Sequence, residues 1–159
     1  MGMSDSAAFK TAMRRVPAPV TVISAAHQGE RRGLTATAVC SVSAEPPQLL
    51  VCVNKRVRAH DAIGLAGYFG VNYLSHGQAD VAHAFSSPSG APGARFETGD
   101  WVEGETGAPL LRNALATFEC RVVQAVDGGT HTLYIGEIVG MTDRDDLSLL
   151  YKSGLFSAA

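Results

Sequence analysis

Hydrophobic and polar residues largely alternate along residues 33 to 47, which read GLTATAVCSVSAEPP. Side chains on a β-strand alternate between its two faces, so this stretch predicts one strand with a polar face and a small apolar face. The polar face carries Thr35, Thr37, Ser41 and Ser43, and the apolar face carries Leu34, Ala36, Ala38, Cys40 and Val42. The hydroxyl groups either form a solvated outer surface or line a bound polar ligand.

Further strands are predicted on both sides of this stretch. Residues 20 to 24, VTVIS, form a β-branched run, and residues 48 to 54, QLLVCVN, are so continuously apolar that we expect burial on both faces. Residues 68 to 74, YFGVNYL, predict another strand. Residues 116 to 126 and 130 to 140 predict a hairpin around Asp127-Gly128-Gly129, a sequence that suits a tight turn.

Helical patterns are few and short. They cover residues 4 to 15, with Phe9, Met13 and Val16 on one face, then 60 to 67 and 78 to 86. The Gly-, Pro- and Ser-rich stretch from 86 to 99 predicts a lid or an arm.

About six strands with so few helices favour a mainly β fold, an antiparallel β-barrel with a few short helices. The chain of 159 residues shows no linker, so we expect a single domain over 1–159 with loose ends at 1–8 and 157–159.

Composition narrows the classes of function. The net charge is −2, and the basic run KRVR at 55 to 58 is too local to indicate a nucleic-acid surface. No apolar run is long enough to span a membrane, and the first residues do not resemble a secretory signal. Three cysteines without CxxC spacing, Cys40, Cys52 and Cys120, predict buried free thiols in the cytoplasm.

Common catalytic motifs do not occur in the chain. The five histidines are scattered, which predicts no metal site, and no GxSxG, GxGxxG or P-loop is present. The turn that begins at Asn54 reads NKRVRAH and precedes a helical pattern. Arginine side chains and a helix N-terminus both bind phosphate, so this turn is either a phosphate site or a solvated charged loop. His131, at the start of a strand, is by the same reasoning either an edge histidine or a catalytic one.

The order of these segments resembles the flavin reductase-like family, which includes the small reductase components of two-component flavin-dependent monooxygenases. The resemblance covers residues 9 to about 156. It is carried most strongly by the block TATA…SVS…PP, within residues 35 to 47, and by HTLYIGEI at 131 to 138. It implies a split β-barrel homodimer that binds FMN or FAD and uses NADH or NADPH to reduce it, often for a partner oxygenase.

The resemblance also implies roles for particular residues. His131 matches the histidine on the nicotinamide side. The isoalloxazine would lie against the first block, the ribityl chain over the end of the apolar strand, and the phosphate at the basic turn. The cofactor-binding residues implied in this way are Thr35, Ala36, Thr37, Ala38, Ser41, Val42, Ser43, Cys52, Val53, Asn54, Arg58, Ala59 and His60.

Two departures from the family pattern leave alternatives open. Thr130 precedes His131 where the family often has an acidic residue, and the phosphate turn is KRVRAH where it is often rich in Ser and Thr. The main hypothesis is an NAD(P)H:flavin oxidoreductase that supplies a monooxygenase. The alternative is a flavin-binding carrier or sensor with little turnover; an oxidase acting on a phosphorylated amine is weaker. The sequence does not choose between FMN and FAD or between NADH and NADPH.

Overall fold

A computed structural model of the chain describes residues 5–87 and 91–159. It contains three α-helices, α1 Ser6–Arg14, α2 Arg58–Ala66 and α3 Ala79–Ser86, and 3-10 turns at His76–Gln78 and Pro92–Glu97. The strands in this part of the chain are β1 Ala18–Pro19, β2 Thr21–His27, β3 Glu30–Ala36, β4 Val39–Ala44, β5 Pro47–Asn54, β6 Tyr68–Tyr73, β7 Trp101–Glu103, β8 Pro109–Leu111, β9 Ala116–Asp127, β10 His131–Asp143, β11 Leu149–Lys152 and β12 Leu155–Ala158.

Seven strands form the main sheet, in the order β3-β2-β6-β9-β10-β5-β4, and every neighbouring pair is antiparallel. β3 and β4 follow each other in the chain but lie at opposite edges of this sheet. Only Thr37 and Ala38 join them, so the sheet must curve until its two edges meet. The predicted mainly β barrel with a few short helices is therefore confirmed.

The prediction of one continuous strand from 33 to 44 was wrong. β3 pairs with β2, whereas β4 pairs with β5. Thr35 lies opposite Val22 and Ser41 lies opposite Leu49, and these two buried partners belong to different hydrophobic clusters. Opposed residues of an antiparallel pair share a face, so the hydroxyl groups do not lie on one face. The alternation breaks at Thr37 and Ala38, where the chain crosses from one edge to the other.

Two hydrophobic clusters stabilise the fold. The first fills the barrel and includes Ile23, Val51 and Phe69, with Ile63 of α2 closing one end. Gly136 of β10 contributes space here, because a Cβ at this position would lie 2.6 Å from Cζ of Phe69. The second cluster packs outside the barrel wall and consists mainly of residues from β2, α3 and the segments that follow: Val20, Val22, Leu74, Val81, Ala82, Phe85, Phe96, Leu111, Ala114 and Leu149.

β5 is not buried on both faces, contrary to the prediction. Leu49, Val51 and Val53 point into the barrel and are buried, whereas the alternate residues Leu50 and Cys52 are only half-buried. The apolar run therefore has an outer face that the described residues of this chain leave partly open.

The segment from 86 to 99 was predicted to be a lid or an arm, and residues 88–90 lie outside the described part. The rest packs against β3. Phe96 is 5% exposed, and the Arg95 guanidinium donates to the carbonyl oxygens of Gly33 at 3.1 Å and Ser87 at 2.6 Å. Through Phe96, the part of this segment that begins at residue 91 is anchored in the second cluster.

The chain ends and the cysteines also differ from expectation. α1 begins at Ser6 with Asp5 as its N-cap, and the C-terminal residues expected to be loose lie in and just after β12, which pairs with β11. Phe9 and Met13 are more than half exposed. All three cysteines are free, but only Cys120 is buried, while Cys40 is exposed. The β9–β10 hairpin is confirmed, with Gly128 N donating to His131 O at 2.9 Å.

Candidate active site

A pocket of about 310 Å³ lies at the end of β3. It combines hydroxyl groups with aromatic rings, and its lining consists of Val20, Thr35, Ala36, Thr37, His83, Ser86, Tyr151, Gly154 and Phe156. The Phe156 ring lies 4.9 Å from the His83 ring and 5.8 Å from the Tyr151 ring. We call this the aromatic pocket. Flat rings beside hydroxyl groups can stack on a planar ligand and hydrogen-bond its rim.

The hydroxyl groups of the aromatic pocket are not equivalent. Thr35 Oγ1 donates to the carbonyl oxygen of Ala82 in α3 at 2.7 Å, so this hydroxyl ties β3 to the helix. Thr37 stands one residue beyond the end of β3 and is exposed. Of these two predicted ligand-binding hydroxyls, Thr37 is the more available to a ligand.

A second group of predicted residues meets where β5 and β10 pair. Asn54 lies opposite His131, and Cys52 lies opposite Leu133, so all four share the outer face of the sheet. Thr130 Oγ1 and His131 Nδ1 are 2.8 Å apart. The structure thus brings Asn54 and His131 together, although they are far apart in the chain.

The two groups are joined through the crossing between β3 and β4. Cys52 N donates to the carbonyl oxygen of Ala38 at 3.0 Å, next to Thr37 in the aromatic pocket. From Cys52, the strand continues two residues to Asn54 and its partner His131. A continuous line of residues, which we call the path, therefore leads from the aromatic pocket, past the Ala38 backbone and Cys52, to the end of β5.

His60 lies beyond this end, on the first turn of α2. Its Nε2 is 2.7 Å from Thr132 Oγ1, its Nδ1 is 3.0 Å from Asp61 Oδ1, and its carbonyl oxygen accepts from Tyr134 Oη at 3.1 Å. Burial, with the nearby Asp61 carboxylate, raises the pKa of Tyr134 above its ordinary value, which keeps the phenol neutral as a donor. These contacts fix the helix to the strand.

The basic turn before α2 offers fewer free cations than its sequence suggests. Lys55 Nζ forms an ion pair with Asp127 at 2.6 Å, and this bond, with Gly129 N, holds the pKa of Asp127 below its ordinary value. Within 5–87 and 91–159, no ion pair engages Arg56 or Arg58. Arg58 is the first residue of α2, whose N-cap makes no side-chain bond, so an anion there would meet a guanidinium and the first N–H groups of the helix, with the Asp61 carboxylate in the same turn.

The remaining predicted ligand residues are placed less directly. Val53 is fully buried and Ala59 is 3% exposed, so both side chains belong to the core and only their backbone could face a ligand. On β4, Ser41 and Val42 are exposed and Ser43 is half-buried. Burial, and secondarily Cys40, raises the pKa of the Cys52 thiol. Cys52 therefore stays a neutral thiol at the centre of the path.

Sequence reasoning missed six residues of the aromatic pocket: Val20, His83, Ser86, Tyr151, Gly154 and Phe156. The last three lie in the C-terminal LSLLYKSGLF, whose strands form a small sheet with β1. Nothing in their spacing connects them to Thr35, more than a hundred positions earlier. The two aromatic residues of this stretch were the one available signal.

The part of the chain that the structure describes contains neither a candidate metal site nor a candidate membrane-spanning helix. No group of three or more His, Cys, Asp or Glu side chains there could hold a metal ion. None of its helices has the length and apolar character needed to cross a membrane.

Comparisons with known proteins show which family this chain resembles in sequence. The sequence profile of the "Flavin reductase like domain" matches residues 13–159. The chain is 42% identical over 154 residues to the reductase component of a FADH(2)-dependent resorcinol hydroxylase from Rhizobium sp., covering 95% of this chain and 86% of that protein. It is 40% identical over 135 residues to an FMN reductase (NADH) from Ancylobacter novellus, covering 85% and 74%.

Solved structures agree. An NADH:FAD oxidoreductase from Streptomyces globisporus, solved with NAD and FAD fragments, superimposes with a TM-score of 0.89 at 33% identity, over 99% of this chain and 96% of that one. The fold and the site define a split-barrel protein of the flavin-reducing class. The chain belongs to the flavin reductase-like family, and the resemblance drawn from the two sequence blocks is confirmed.

Proposed function

We propose that this chain is an NAD(P)H:flavin oxidoreductase that reduces FMN or FAD and passes the reduced flavin to a separate monooxygenase. One observation carries the proposal: the bond from Cys52 N to Ala38 O joins the aromatic pocket to the β5–β10 end that holds Asn54 and His131. The path is polar at its rim, aromatic at one end and next to a basic helix N-terminus at the other. A flavin matches this arrangement, because it has a flat aromatic ring with a polar rim at one end and a phosphate at the other.

The residues present fit such a cofactor. The aromatic pocket would hold the isoalloxazine, with Thr37 at its rim and the Ala38 backbone beside it. Cys52 and Asn54 would lie along the ribityl chain, and Arg58, with the free N–H groups of α2, would hold the phosphate. When bound, the flavin supplies the hydride acceptor. The protein's own part would be to bind the two rings and hold them in reach of each other.

His131 is proposed to bind the nicotinamide side. It lies on the outer face opposite Asn54, and its half-buried ring is held on one side by Thr130 Oγ1. Among the described residues, His131 Nε2 has no hydrogen-bond partner, so this nitrogen can meet a ligand. The hydroxyl thus takes the orienting position where the family often has an acidic residue.

The proposed partners follow from the family and the surface. The Rhizobium relative is named as the reductase component of a hydroxylase, which supports a partner oxygenase for this chain. The partly open outer face of β5, next to the exposed Val42, supports a homodimer. Three free cysteines agree with a cytoplasmic location, and the profile match over 13–159 supports a single domain.

The reaction is tested by flavin absorbance under anaerobic conditions. Purified protein with FMN or FAD should bleach the band near ~450 nm when NADH or NADPH is added. The four combinations of donor and flavin identify the preferred pair. If the protein binds flavin but no combination bleaches, the chain is a flavin carrier or sensor and the proposal fails.

The variant His131→Ala tests the nicotinamide role. We expect turnover with NADH to fall about tenfold, because the ring loses an orienting contact, while flavin affinity changes less than about twofold. Stopped-flow reduction and flavin fluorescence quenching measure the two quantities. His76→Ala, an exposed histidine that pairs with Asp146, is the matched control. Equal loss in both histidine variants, or in neither, would remove His131 from the site.

A further inference from the structure

A second, basic pocket adjoins the aromatic pocket. It has a volume of about 190 Å³ and is lined by Thr11, Arg14 and Arg15 at the end of α1 and by Ser153 in the turn between β11 and β12. Gly154, the next residue of this turn, lines the aromatic pocket, and a Cβ on it would lie 3.6 Å from Nη2 of Arg14. One turn of the chain therefore separates the basic pocket from the aromatic pocket.

The basic pocket carries positive charge from two arginines. Within 5–87 and 91–159, no carboxylate lines it and no ion pair involves Arg14 or Arg15. The exposed Lys152 precedes Ser153 and adds a further positive charge. Ser153 N donates to the carbonyl oxygen of Arg14 at 2.7 Å, which holds the end of α1 against the turn. The backbone carrying these guanidinium groups is therefore positioned, while the groups themselves are available.

We infer that Arg14 and Arg15 bind the phosphates of the pyridine nucleotide, whose nicotinamide ring would extend from there over the isoalloxazine towards His131. This rests on the proposed function and assigns the ligand of the second pocket. The flavin path leaves the aromatic pocket in the other direction, through Ala38 and Cys52 towards α2, and has its own phosphate site at Arg58. The phosphates that remain to be placed are those of the hydride donor. Guanidinium groups suit them, because each can make two parallel bonds to a phosphate.

The inference is tested by comparing two hydride donors. NADH carries a pyrophosphate, whereas reduced nicotinamide riboside carries the same ring and ribose without phosphate. In the double variant R14A/R15A we expect the KM for NADH to rise about tenfold. The expected rise is no larger because the lost hydrogen bonds to phosphate are exposed to solvent, which weakens them. We expect kcat with NADH, and both constants with the riboside, to stay within about twofold. Added NaCl should raise the KM for NADH in the parent protein more than in the variant.

Controls separate binding from a structural role. Lys10→Ala removes a positive charge from the same helix outside the pocket lining and should leave all constants unchanged. R14K/R15K should recover part of the NADH affinity. If KM rises equally for both donors, or if the variant's Tm falls as much as its NADH affinity, the arginines only hold α1 and the inference is wrong.

Flavin-binding measurements show whether the basic pocket binds the phosphate of the flavin instead of those of the pyridine nucleotide. If R14A/R15A weakens FMN binding but not riboflavin binding, the pocket serves the flavin phosphate and the inference is overturned. Calorimetric binding of NAD⁺ gives a readout that needs no turnover. If the parent protein reduces no flavin but the variant still loses NAD⁺ affinity, the proposed function fails while the arginine site stands. Unchanged NAD⁺ affinity overturns the arginine site.

Discussion

β2 and β5 show how differently two strands of one barrel are covered. β5 has the more apolar sequence, LLVCV, yet only its inner residues are buried. β2 contains Thr21 and Ser24, yet every residue from Thr21 to Ala25 is buried. The difference lies in their neighbours. The outer face of β2 lies under the second cluster, from α3 to β11, whereas none of the described residues fully covers the outer face of β5.

β2 accommodates its polar residues because each finds a partner. Thr21 Oγ1 donates to the carbonyl oxygen of Ala36 at 2.7 Å. Ser24 Oγ donates to the carbonyl oxygen of Pro109 and accepts from Asn72 Nδ2 at 3.0 Å. Buried hydroxyl groups with partners cost little. Hydropathy therefore reports the apolar content of a strand, while tertiary packing decides how many faces are covered.

The largest expected effect comes from placing a charge on each outer face. Val22→Asp buries an unpaired carboxylate under α3 and should cost more than about 4 kcal/mol of the free energy of unfolding, so little folded protein should form. Leu50→Asp should fold, with a loss below about 1 kcal/mol, because its carboxylate reaches water. Urea unfolding followed by circular dichroism measures both.

The variants Val22→Asp and Leu50→Asp also test whether the outer face of β5 is used for binding. Leu50→Asp should weaken flavin binding or self-association even though it folds, since both proposed contacts use the outer face of β5. If Leu50→Asp unfolds as readily as Val22→Asp, the two outer faces are equally covered and the comparison is wrong.

A smaller effect is expected from the polar residues of β2. Ser24→Ala leaves the Pro109 carbonyl and Asn72 Nδ2 without this partner in a buried place and should cost about 1–3 kcal/mol. Ser41→Ala on β4, where the side chain is exposed, should change the free energy of unfolding by less than about 0.5 kcal/mol. Equal urea midpoints for the two variants would contradict the role given to the buried network.

The smallest expected effect is on the pH dependence of stability, through Asp127 and its ion pair with Lys55 just after β5. The Lys55 bond and Gly129 N lower the pKa of Asp127 in the folded state, so its stabilising contribution is present above the unfolded pKa, near 3.8. It is lost as the pH falls through the lower, folded pKa. Carboxyl NMR titration should show the pKa of Asp127 rising towards its ordinary value in Lys55→Met. An unchanged titration would show that the ion pair is not formed in solution.

Local features of the fold were predictable from the sequence, and long-range coverage was not. The β9–β10 hairpin follows from Asp-Gly-Gly between two alternating runs. The crossing at Thr37 and Ala38 was missed because the alternation resumes after Val39, and nothing in it shows that its two halves pair with different strands. Only the β3 side of the aromatic pocket was predicted: Thr35 and Thr37 were identified from their strand, whereas Tyr151 and Phe156 come beside them only through tertiary packing.

Gly136 has a consequence for how relatives of this protein are recognised. Any side chain at this position would have to displace Phe69 or Cys120 from the barrel interior. The glycine of HTLYIGEI is thus required for the packing of the barrel interior. His131, five residues earlier in the same block, is instead proposed to take part in the reaction. A descendant that lost its reductase activity could keep the whole block except its first letter and would still be grouped with the enzymes.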